Sequence, residues 1–128
     1  MRTLLVAAAS MIALWGCASA PAEVAATNGA YVDPTLERLH VVYVQPQGLR
    51  IRAESNGCTT EDYFNVTAEP IGSSGSVASY LVRFERARPD NCSGHVTNGA
   101  SLFFAREDIG LPENASITVA NPVGRFGG

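Results

Sequence analysis

Lysine is absent from this 128-residue chain, so all nine basic residues are arginines, set against twelve aspartates and glutamates for a formal net charge of −3. The absence removes Schiff-base chemistry, which needs an amine side chain. The acidic balance argues against nucleic acid as a partner, because general affinity for it requires a basic surface. It argues equally against attraction to anionic lipid headgroups. Histidine is scarce, with only His40 and His95. No dinucleotide fingerprint, phosphate-cradling loop or calcium loop is present. The short Gly72-Ser73-Ser74-Gly75-Ser76 run lacks the spacing of a nucleophile elbow. No segment carries a helical period long enough for βαβ units. No apolar run reaches the roughly 20 residues that a bilayer-spanning helix needs. No internal repeat is visible.

The N-terminus carries the most specific pattern. Arg2 supplies a positive charge, residues 4–15 form a short apolar stretch, and Leu14-Trp15-Gly16-Cys17 follows. That order is the anatomy of an export signal rather than a membrane span. It resembles the lipobox of bacterial lipoprotein signal peptides. The resemblance, which covers about the first 20 residues, implies that the peptide is cut before Cys17. It also implies that the Cys17 thiol receives a diacylglycerol and that the new amino group is acylated, palmitate being a typical chain. The membrane would then be contacted through the lipid, and several acyl chains hold firmly where one binds marginally. Ala18, in place of an aspartate after the cysteine, favours the outer membrane, with the protein facing the periplasm. Ordinary signal-peptidase cleavage after Ala20-Pro21-Ala22 stays open as the alternative, giving a soluble periplasmic or secreted protein.

Besides Cys17 the chain has only Cys58 and Cys92. Either processing route leaves these two as the mature thiols, which permits a single intramolecular pairing. In an oxidising compartment the expectation is one structural disulfide, stabilising by about 3–4 kcal/mol in the chain-entropy account. A metal site built from Cys58, Cys92, His95 and Asp90 is the competing reading. It lacks a second clear ligand pair, so no metal and no cofactor is expected.

Residues 1–16 are therefore read as signal peptide and 17–38 as a lipid-anchored tether, Ala-, Pro- and Thr-rich at its start. Residues 39–122 are read as a β-domain and 123–128 as a flexible tail. Strand-like segments fall at 39–45, 49–54, 63–69, 77–87, 101–105 and 116–120. Residues 49–54 alternate cleanly, with Leu49, Ile51 and Ala53 inward and Arg50, Arg52 and Glu54 outward. Gln45-Pro46-Gln47-Gly48 reads as the tight turn of a hairpin, its glycine free to take positive φ. Pro70 is expected to stop the third strand. The fold class is all-β: a small antiparallel β-sandwich or open barrel of about six strands, with one disulfide.

Chemistry is thinly represented. His40 sits in an apolar strand and reads as a packed residue, and His95 lies in a polar loop. The adjacent pairs Glu61-Asp62 and Glu107-Asp108 read as solvated turn charges rather than a glycosidase pair. The arginines are the more informative set. If their strands are neighbours, Arg50, Arg52, Arg83 and Arg86 would present guanidinium forks to carboxylates or phosphates. Cross-strand pairing with Glu54, Glu69 and Glu85 is the competing use. The expectation is a non-enzymatic, lipid-anchored envelope protein that binds another envelope protein or a glycan. An inhibitor of a periplasmic or extracellular hydrolase is the alternative, its active loop braced by the disulfide. A small hydrolase ranks third.

Overall fold

Alternation in the chain from Leu49 turns one strand face fully inward: Leu49, Ile51 and Ala53 are completely buried, while Arg52 is exposed. The computed structural model of the protein describes residues 23–24 and 31–124. Cys17 and the signal segment lie outside the described residues. The elements run β1 (Glu23–Val24), β2 (Val41–Val44), β3 (Gly48–Ala53), a 3₁₀ turn (Glu61–Tyr63), β4 (Phe64–Ser74), β5 (Val77–Arg86), β6 (Ala100–Ala105) and β7 (Ser116–Val119). They build a four-stranded sheet in the order β1-β2-β3-β6 and a three-stranded sheet in the order β4-β5-β7.

The inner faces of the two sheets share one core, which makes the fold an all-β sandwich. Val42, Leu49, Ile51, Leu102 and Phe104 enter it from the first sheet. Phe64, Val82, Phe84 and Val119 enter from the second. The Phe84 and Phe104 rings meet across the interior with centroids 5.3 Å apart and planes tilted by 57°. Burying each large apolar side chain of this kind stabilises the fold by about 1.5–3 kcal/mol. Among the described residues no helix is long and apolar enough to cross a membrane.

Four local readings need correction. Gly48 is not among the positive-φ glycines; a Cβ there would lie 2.2 Å from the Phe104 carbonyl oxygen. Close approach of β6, rather than turn geometry, demands glycine at that position. Pro70 does not end its strand, since β4 continues to Ser74 past a register shift between Pro70 and Gly72. β4 is an edge strand, and an edge tolerates the missing N–H and uses proline and bulges to discourage pairing with other chains.

The last strand also differs from an all-antiparallel sandwich, because β7 runs parallel to β5. The chain from Arg106 to Ala115 returns it to the same end from which β5 starts. Finally, the ends of the domain reach beyond 39–122. β1 pairs with β2, the Asp33 N–H donates to Ala120 O, and Gly124 N–H donates to Leu39 O. Residues 17–38 are thus not all tether and 123–128 not all tail, since backbone pairing rather than apolar periodicity fixes these pieces.

A fully buried polar side chain completes the second sheet. Asn121 follows β7 and continues its line with side-chain rather than backbone groups. Its Oδ1 accepts from Phe84 N–H at 2.9 Å, and its Nδ2 donates to Phe84 O at 2.7 Å and to Glu37 O at 2.9 Å. One amide therefore satisfies both backbone groups of Phe84 and ties the 31–38 segment to the sandwich.

Candidate functional site

Arg50 and Arg52 lie on β3 of the first sheet, and Arg83 and Arg86 lie on β5 of the second. The four do not form one surface. Arg83 pairs across the hairpin with Glu69 at 2.8 Å, the cross-strand use weighed in the sequence. Arg86 is taken up internally. It forms a two-pronged ion pair with Glu37, donates to Glu54 O at 2.8 Å, and lies 4.8 Å over the Phe64 ring. The Glu37 hydrogen bond, ahead of an opposing burial effect, holds the Arg86 guanidinium above its ordinary pKa. Arg50 donates to Ser101 Oγ and stacks 5.3 Å over Phe103. Arg88 pairs with Asp62 and covers the Tyr63 ring. Among the described residues Arg52 has no ion pair and no aromatic partner.

The adjacent acids are likewise occupied in part. Glu61 accepts from Phe103 N–H on the open edge of β6, and Asp62 accepts from Thr60 and Arg88. Neither forms a carboxyl pair across a cleft.

Cys58 and Cys92 are joined, with Cα atoms 5.8 Å apart. The bridge fastens two loops around Asp90, whose carboxylate receives six donors. Oδ2 accepts from the N–H groups of Asn56, Cys58 and Thr59 and from the hydroxyls of Ser55 and Thr59; Oδ1 accepts from Cys92 N–H. Cys58, Asp90 and Cys92 are close enough to be considered as metal ligands. Their chemistry answers differently: the sulfurs are bonded to one another and the carboxylate is filled by protein donors. Sequence analysis named Asp90 only as a possible ligand, because its donors are mostly backbone groups that no side-chain pattern reveals.

Asp90 sets a pH dependence. Partial burial raises its pKa, but hydrogen bonds from Thr59 and from the Cys92, Asn56 and Cys58 amides outweigh this and hold it well below the ordinary aspartate range. A group depressed in the folded state contributes its stability in full above its unfolded pKa, about 3.9 for aspartate. That contribution is lost as pH falls through this value towards the folded one. Urea midpoints should therefore fall steeply below about pH 4 in the wild type. The fall should be shallower in Asp90→Asn; equal slopes would show that Asp90 does not carry the acid sensitivity.

The same clamp positions a groove on the described surface. Its volume is about 650 Å³, and its described lining is His40, Val41, Tyr43, Arg52, Glu54, His95, Val96 and Asn98. Val41 and Arg52 are direct cross-strand partners on the outer face of the first sheet. Glu54 follows β3, its carbonyl held by Arg86 while its side chain lines the groove. Val96 N–H donates to Ser55 O at 3.0 Å, which brings the His95 loop against the end of β3. Asn98 and Gly99 take φ of 67° and 76° at the far wall. A Cβ on Gly99 would lie 2.3 Å from Ala53 O and 3.2 Å from the His40 ring, so glycine is required where that wall meets the sheet.

Chemically the described lining combines a cation, a carboxylate, two imidazoles, an amide and a phenol with two valines. Its described lining includes no serine, threonine or cysteine. Recognition through hydrogen bonds and charge is what the described set supports. Sequence analysis named Arg52 but not its grouping with His40 and His95, which are far apart in the chain and meet only through the loop clamp. No protein-family model, curated protein or solved structure matches this chain.

Proposed function

We propose that this chain is a non-enzymatic protein of the bacterial cell envelope, lipid-anchored through Cys17, whose β-sandwich is a binding or accessory module for another envelope component. The observation that carries the binding role is the groove: polar and charged groups of both signs are gathered in one concavity, and among the described residues the Arg52 guanidinium has no ion pair. The N-terminal Arg2, the apolar stretch and Cys17 support the anchor. The disulfide is consistent with an oxidising compartment such as the periplasm. Tethering confines the domain near its partner, so that weak intrinsic contacts suffice for occupancy.

Cells fed labelled palmitate and then cross-linked test both halves. Label should enter the wild-type protein and not Cys17→Ser, and cross-links should identify an envelope component near the domain. An unlabelled mature polypeptide whose mass begins at Glu23 would remove the anchor. Cross-linking that yields no envelope partner would remove the module.

A further inference from the structure

Resting on the reading of the domain as a binding module, we infer that the groove takes an acidic saccharide, with a carboxylate seated on Arg52 and sugar hydroxyls on Glu54, Asn98 and His95. Arg52 is exposed and, among the described residues, has no carboxylate of its own, so its fork is available to an anion. Glu54 lies two residues along, which on a strand is about 7 Å away on the same face. A carboxylate that close repels a doubly charged phosphate more than a singly charged carboxylate, and it accepts readily from hydroxyl groups. Asn98 supplies both a donor and an acceptor beside it. Tyr43 and Val41 give the floor a modest apolar surface suited to the C–H face of a sugar ring.

A peptide fits less well. β3 has a strand neighbour on both sides and β1 covers β2 at Tyr43 and Val44, so strand addition across the centre of the floor has no open ladder. Val41 and Val96 are the only aliphatic side chains in the described lining, too few to make side-chain pockets. The groove is also broad for a lone ion, and its volume falls within the range of small-molecule sites.

Isothermal titration of the detergent-solubilised full-length protein tests this with oligogalacturonate, a neutral malto-oligosaccharide of equal length, and glucose 6-phosphate. Oligogalacturonate should bind, the neutral oligomer should bind at least about tenfold more weakly, and Arg52→Gln should weaken oligogalacturonate about tenfold. Arg83→Gln removes the same charge from the other sheet and should leave binding unchanged. Thermal melts of both variants should match the wild type, since neither side chain is buried. Equal affinity in Arg52→Gln, equal binding of the neutral oligomer, tighter binding of the phosphosugar, or no binding of oligogalacturonate would each overturn the assignment. Those results leave the palmitate and cross-linking test untouched, so the saccharide and the module fail separately.

Discussion

Replacing Asn121 with alanine should destabilise the domain by about 4 kcal/mol, lowering its melting temperature by about 15–30 °C. The side chain is completely buried and serves three backbone groups: Phe84 N–H, Phe84 O and Glu37 O. Each buried group left without a partner costs about 1–3 kcal/mol, and the costs are not fully additive. Alanine also leaves a void beside Phe84, a core residue with no exposure. The loss is local in cause but not in effect. Without the amide, the 31–38 segment keeps Glu37 only through Arg86. Calorimetry of the variant gives the answer directly; a shift of only a few degrees would mean that water or a rearranged backbone replaces all three bonds.

The second large effect belongs to the disulfide. Removing it in a Cys58→Ala/Cys92→Ala double variant should cost about 3–4 kcal/mol, because the bridge closes a loop with a sequence separation of 34. The structural account adds something to the entropy. Cys58 and Cys92 both donate backbone N–H groups to Asp90, so the covalent link holds the walls of that anion cradle together. Amide exchange at Asn56, Cys58 and Thr59 should therefore accelerate more than at β3 or β6. A melting temperature within a few degrees of the wild type, with unchanged exchange at those amides, would show that the hydrogen bonds alone maintain the clamp.

The strands were legible because their inner faces are written in period two. Leu49, Ile51 and Ala53 on β3 are all buried as their alternation required. The pairing of Cys58 with Cys92 followed from the reading that assigns Cys17 to the signal, which leaves these two as the remaining thiols. What alternation cannot carry is which strands become neighbours. Arg52 and Arg83 look equivalent in sequence, yet one faces a groove and the other closes a surface pair with Glu69. Direction was equally invisible: residues 116–119 read as a strand, but nothing local tells whether they run with β5 or against it. Polar residues whose partners are backbone groups were the hardest to value. Asn121 and Asp90 look like ordinary turn residues until the chain brings Phe84 and the 55–59 loop to them. The groove belongs to the same class, since its walls come from three separated stretches.

The two ends of the sandwich are stitched to each other: Leu39 bridges Val123, Asp33 joins Ala120, and Asn121 holds Glu37. A nascent chain halted before residue 116 would therefore possess most of its hydrophobic residues and still be unable to close. Its β5 would show a bare flank, and the 31–38 segment would have nothing to dock on. Completion must wait for the stretch from Ser116 to Gly124, so folding of this domain is timed by delivery of its C-terminal end rather than by collapse of its middle.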